Sequence, residues 1–216
     1  MNKYDIKIIN EIYSEIKDKT EKRIQEFENI FQNGNDEKIF TELVFCLLTP
    51  QSKAKTCWSA VLDLQKKNLI FSDRKDEISK VINSVRFKNN KAGYIIEARK
   101  KFFVNNSSGI KNIIKNFSDN FKRREWFAEN VKGIGYKEAS HFLRNIGFGK
   151  DIAILDRHIL KNLKLFHVID EVPKTITSAV YFEFEKKMSD FSKKINIPLE
   201  HLDFVFWFKE AKEVFK

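Results

Sequence analysis

The chain has 216 residues, 42% of them hydrophobic and 21 of them phenylalanine, with 40 basic against 30 acidic side chains for a formal net charge of +10. That is ample for a real core in one large domain or two small lobes, and the positive excess fits a polyanionic partner, nucleic acid first, as well as it fits a lysine-rich surface that merely keeps the chain soluble, so charge needs a site beside it. Two cysteines, Cys46 and Cys57, exclude a disulfide framework and any four-cysteine zinc or iron-sulfur site within one chain, and the four histidines lack a ligand spacing, so no metal cofactor is expected.

The first stretch, "MNKYDIKIINEIYSEIKDK", alternates charges with aliphatics, and nowhere is there a run of about 18 uncharged apolar residues, so a soluble intracellular protein without a membrane segment is expected. Apolar residues then recur at spacings of three and four through "IFTELVFCLLT", "CWSAVLDLQKK", "EISKVINSV" and "AGYIIEARKKFF". The same period runs through "YFEFEKKM", whose "YFEFE" is the one stretch that also reads as a short strand. Breaks rich in capping and turn residues fall at "NGND", "TPQS", "FSDRKD", "VRFKNNKA", "NNSSG", "NFSDN", "GIG", "GFGKD" and "EVPK". An all-α fold of about ten helices with short connections follows, with no solenoid repeat.

Three of the seven glycines gather in "NVKGIGYKEASHFLRNIG", residues 130–147. A short amphipathic helix is predicted to end near Asn130, a tight turn to use Gly133, Ile134 and Gly135, and a second helix to begin at about Tyr136, making a helix-hairpin-helix over residues 126–147. Both turn glycines are expected to take positive φ and to let backbone approach something without a Cβ in the way. The unpaired N–H groups of the new helix, with Lys132 beside them, would then suit a phosphate. An ordinary turn between packed helices is the plainer alternative.

Lys137 lies just past that turn. A lysine amine beside an apolar wall can lose its proton and attack an electrophilic carbon, giving a Schiff base. Asp156, in "DIAILDRHILKNL", follows an apolar run and precedes a helix. It reads as an N-cap, and a carboxylate at a helix N-terminus is held in its charged form, so capping and catalysis are compatible.

The segment from "KGIGYKEASHFLRN" through "AILDRHIL" resembles the helix-hairpin-helix, loop and aspartate motif of base-excision DNA glycosylases, and most closely the small 8-oxoguanine DNA glycosylase/AP lyases of archaea and some bacteria. The resemblance runs from "ELVFCLLTPQS" to the terminal "FK". It implies that Lys137 attacks C1′ of the damaged nucleotide, that Asp156 supports the developing positive charge on the sugar, and that β-elimination then nicks the strand. The nucleotide must leave the helix for this, and the hole must be filled. "LLTPQSKAK" resembles the corner facing DNA, with Gln51 as a candidate for the extrahelical base or the vacated space. "VRFKNNKAGYIIEAR" resembles the segment addressing the opposite strand, with Arg86 for the estranged cytosine and Phe87 as a wedge. In the tail "LDFVFWFKEAKEVFK", Trp207 is the candidate for stacking on the base, and Lys216 joins the pocket if the chain ends there natively. The plainer readings are a helix start for Gln51, a solvated charge for Arg86, core packing for Phe87 and Trp207, and a frayed end for Lys216.

No cysteine follows Cys57, unlike the four-cysteine branches of that superfamily, and the chain has neither the length nor the strand pattern for the extra β-domain of larger relatives. The expected architecture is a middle lobe, 33–138, and a terminal lobe, 1–32 with 139–216. Duplex DNA containing 8-oxoguanine, preferably opposite cytosine, would lie in the cleft between them, with Lys137 at the seam and Asp156 facing it, in a monomer. Hairpin carbonyls could also hold a structural cation. Activity on another lesion, or a non-enzymatic module that grips DNA backbone alone, are the alternatives.

Overall fold

The structure is a computed structural model and describes residues 3–104 and 108–216, so most of the expected "NNSSG" break lies outside the described residues. The described chain is helical throughout, without a strand. The helices are α1 (Lys3–Asn33), α2 (Asp36–Leu48), α3 (Ala54–Lys66), α4 (Lys75–Val81), α5 (Lys88–Phe103), α6 (Ile110–Lys115), α7 (Asn120–Asn130), α8 (Tyr136–Asn145), α9 (Arg157–Leu165), α10 (Ser178–Lys194) and α11 (Leu199–Ala211). "YFEFE" belongs to α10, its aromatic alternation overridden by the helical period of the longer segment. No described helix is long and apolar enough to cross a membrane. The chain divides into two compact units, Ile30–Phe142 and Met1–Asn29 with Leu143–Lys216, so α1 and α8 each begin in one unit and end in the other.

In the unit Ile30–Phe142, α2 is apolar on nearly every side, and everything from Ile39 to Leu48 is buried, which makes it the central helix. Phe40, Phe45, Phe102, Phe127 and Phe142 fill the space around it, with Phe127 and Phe142 edge to face at 4.8 Å between centroids. Arg124 of α7 is wholly buried, and it donates to Ser140 Oγ at 3.3 Å while lying 5.7 Å from the centre of the Tyr136 ring. Those contacts fix α7 against α8.

In the other unit, Phe27 of α1 and Phe204 of α11 stack at 6.4 Å, and Arg144, in the last turn of α8, lies over both rings and pairs with Asp203 at 3.4 Å. Burying that guanidinium is tolerable because a carboxylate and two ring faces answer its charge. The stretch before α9 is buried but neither helix nor strand, so its backbone polar groups need partners from elsewhere. Two residues of α10 supply them: Tyr181 Oη donates to the Ala153 carbonyl at 2.7 Å, and Glu185 Oε1 accepts the Ala153 N–H at 2.7 Å. This brace sets the approach to Asp156. Tyr181→Phe should leave a buried carbonyl short of its partner and lower unfolding free energy by about 1–3 kcal/mol in urea titrations, with little change in helical circular dichroism.

Candidate active site

The hairpin turn uses its glycines differently. Gly133 has φ +89°, and a Cβ there would run into the Tyr94 ring, so glycine is required twice over. Gly135 departs from expectation: its φ is not positive, and a Cβ would meet only Glu138 Oε2, at 3.4 Å. It is the residue just before α8, where extended φ/ψ suffices for any residue, so only close approach by an outside group would call for glycine there. Its N–H is already engaged by Glu138 Oε2 at 3.3 Å, the reach-back half of a capping box. Gly147, at φ +90°, ends α8 in a Schellman turn, in which Phe148 N–H donates to Leu143 O and Gly147 N–H to Arg144 O. Lys132, expected to serve phosphate, pairs with Glu97 at 3.0 Å on an exposed face, beside the Tyr94 ring. Such a pair contributes about 0–1 kcal/mol, weak enough for a phosphate to displace.

Lys137 is the second residue of α8, and its side chain is 25% exposed. Its Nζ pairs with Glu138 Oε1 at 3.2 Å, so the same carboxylate touches both the turn and the amine. Beneath them lies a group that sequence reasoning passed over. Lys91 of α5 is only 3% exposed, and its Nζ donates to Leu48 O and Pro50 O, each at 2.7 Å. Burial pushes its pKa down to about 8; the Lys137 ammonium pushes the same way, against the opposing influence of Cys57 and Glu138. The Cys57 thiol donates to Leu48 O at 3.1 Å, and burial raises its pKa to about 11 despite Lys91 and Lys137 nearby, which makes it an unreactive thiol.

Gln51 and Phe87 both stand exposed in left-handed backbone, at φ 55° and 59°. Core packing is therefore excluded for Phe87, 53% exposed, with the Arg86 guanidinium 5.3 Å from its ring centre. Non-glycine residues adopt that conformation at a cost and concentrate at functional sites.

In the other unit, Asp156 is the N-cap of α9, with Oδ1 accepting from His158 N–H and Ile159 N–H at 2.8 Å each. No described residue hydrogen-bonds Oδ2. Trp207 meets the His158 ring edge to face at 5.3 Å, and its buried Nε1–H has no partner among the described residues. Lys216 Nζ lies 6.0 Å from the centre of the Phe27 ring.

Residues 20–197 match a helix-hairpin-helix family model described as 8-oxoguanine DNA glycosylase. The chain belongs to that family. A curated relative from Fusobacterium nucleatum, named 8-oxoguanine DNA glycosylase/AP lyase, is 46% identical over 208 residues, covering 96% of each chain. Among solved structures, the 8-oxoguanine DNA glycosylase of Thermotoga maritima superposes with a TM-score of 0.88 at 31% identity, covering 98% of each chain. The 8-oxoguanine glycosylase/lyase of Methanocaldococcus jannaschii, in complex with a 15mer DNA containing 8-oxoguanine, gives 0.86 at 38% identity, covering 98% of this chain and 99% of its own.

Within this member of the 8-oxoguanine DNA glycosylase family, the two turn glycines should separate cleanly on substitution. Gly133→Ala should lose about 1–2 kcal/mol from the left-handed backbone alone, with the Tyr94 clash adding to it. Gly135→Ala should cost under about 1 kcal/mol of stability in denaturation while weakening duplex binding measured by fluorescence anisotropy. Equal destabilisation by the two would remove the close-approach reading of Gly135.

Proposed function

We propose that the chain is a bifunctional 8-oxoguanine DNA glycosylase/AP lyase that acts as a monomer on duplex DNA, preferring cytosine opposite the lesion, with Lys137 as nucleophile and Asp156 as the supporting carboxylate. The observation that carries this reading is its likeness, over nearly the whole chain, to a glycosylase/lyase bound to DNA containing 8-oxoguanine. The basic surplus of ten charges supports the choice of partner.

Breaking the N-glycosidic bond sends its electron pair to the departing purine, which takes up a proton, and leaves oxocarbenium character at C1′. A fixed anion lowers the energy of that state. Asp156 suits the task because the α9 N–H groups bind Oδ1 and fix the carboxylate in place, leaving Oδ2 for the sugar. Lys137 Nζ must first give up a proton to have a lone pair, and the carboxylate already paired with it, Glu138, is the nearest acceptor on its own helix. Attack at C1′ then opens the sugar to an imine. Loss of the C2′ proton breaks the C3′–O bond, releasing the 3′ phosphate, and water hydrolyses the imine to free the lysine.

The remaining assignments follow exposure and chemistry. Phe87 fills the vacated stack, Arg86 hydrogen-bonds the estranged cytosine, and Gln51 faces the extruded nucleotide. Trp207 and Lys216 serve the base pocket, Trp207 by stacking on the base. Lys132, Gly133 and Gly135 hold phosphate.

A duplex panel tests the activity: cleavage of 8-oxoguanine:cytosine should outpace cleavage of duplexes carrying oxidised pyrimidines or alkylated purines, and a preference for one of those would reassign the substrate. Asp156→Asn should slow single-turnover base release by about 10²–10³-fold while changing duplex affinity little. A variant that lost only thermal stability would reduce Asp156 to a helix cap.

A further inference from the structure

Two exposed segments assigned above to DNA, the corner holding Gln51 and the finger holding Arg86 and Phe87, are joined at their base by a single buried side chain. Lys91 Nζ donates to Leu48 O and Pro50 O at 2.7 Å and lies 3.4 Å from Ser52 Oγ. Ser52 Oγ in turn accepts the Arg86 N–H at 3.1 Å, and the Lys91 N–H donates to Phe87 O at 3.0 Å. One residue therefore bonds the end of α2, the corner after it and, through its own backbone, the residue that begins α5. Gln51 and Phe87, one on each segment, sit in left-handed backbone that neither adopts readily, so some tertiary restraint must hold them there. Satisfying the Pro50 carbonyl accounts for a buried donor here, but the same ammonium also reaches the Ser52 hydroxyl that holds the Arg86 N–H.

We propose that Lys91 is a positioning residue, a buried clamp that keeps the Gln51 corner and the Arg86–Phe87 finger in one register, so that extrusion of the damaged nucleotide and filling of the gap occur together. The proposal rests on the reading of Gln51, Arg86 and Phe87 as DNA-facing. The clamp acts on the extrusion step; it touches neither C1′ nor the lesion. Its loss should therefore spare a substrate that has no base to extrude.

The experiment compares Lys91→Met, Ser52→Ala and Phe87→Ala with the unaltered chain on two duplexes, one holding 8-oxoguanine opposite cytosine and one holding a preformed abasic site. Lys91→Met should slow single-turnover base release by about 10- to 100-fold, the scale of a loosened reacting geometry, yet keep borohydride trapping on the abasic duplex within about threefold. Ser52→Ala leaves the two carbonyl bonds of Lys91 in place and removes the hydroxyl that joins Lys91 to the Arg86 N–H, so it should show the same split more weakly. It carries the test should Lys91→Met fail to fold. Equal slowing on both duplexes, or no slowing on either, overturns the clamp. Phe87→Ala separates the two readings: slowed release there with none in Lys91→Met refutes the clamp alone, whereas unchanged release in Phe87→Ala refutes the DNA-facing assignment and the clamp with it.

Discussion

The left-handed turn at Gly133 is the constraint on which the candidate site depends. With φ at +89° and the Tyr94 ring where a Cβ would lie, no other residue fits, and α8 can begin at Tyr136 only because the chain reverses there. Lys137 takes its place in the first turn of that helix as a consequence. Glu138, next along, ties the turn to the amine by using one carboxylate oxygen for each. The Arg124 contacts to Ser140 and Tyr136 hold the preceding helix against the new one. Local backbone geometry, more than any special side chain, therefore decides where Lys137 stands.

The same residues answer folding requirements and chemical ones. A helix leaves its first N–H groups unpaired, and Asp156 settles two of them with a single oxygen, which fixes its carboxylate and leaves the second oxygen uncommitted among the described residues. A buried, irregular approach to that helix needs partners for its backbone, and Tyr181 and Glu185 provide them, so a stability demand at Ala153 also aims the carboxylate. Lys91 meets such a demand at the end of α2, where it gives the Pro50 carbonyl a donor and shares the Leu48 carbonyl with the Cys57 thiol. Each case joins a capping or satisfaction problem to a position that the proposed reaction uses.

How much of this could be read from the chain alone follows from the range of the interactions involved. The all-α class and the hairpin were legible because apolar period and glycine placement are local signals, and the longer helical period resolved "YFEFE". Lys137 and Asp156 stood out through their short-range context. Gly135 was misread, since glycine signals freedom without saying whether it is used for positive φ or for space. Lys91 was invisible among the many basic residues, because what distinguishes it is burial against carbonyls some forty residues earlier in the chain. The apolar run that follows it in α5, "AGYII", was the one available hint. Tyr181 and Glu185 lie four apart on one face of α10, a spacing that signals a shared partner but not which backbone they serve.

The proposed reaction turns on a covalent intermediate at the Lys137 amine. The direct measurement is borohydride reduction of the chain during reaction with an 8-oxoguanine:cytosine duplex, followed by proteolysis and mass spectrometry to locate the modified residue. A single adduct is expected on the peptide containing Lys137, carried by its Nζ, and none in Lys137→Gln. An adduct on Lys91, on the amino-terminal amine or on any other lysine, or undiminished trapping in Lys137→Gln, would contradict it.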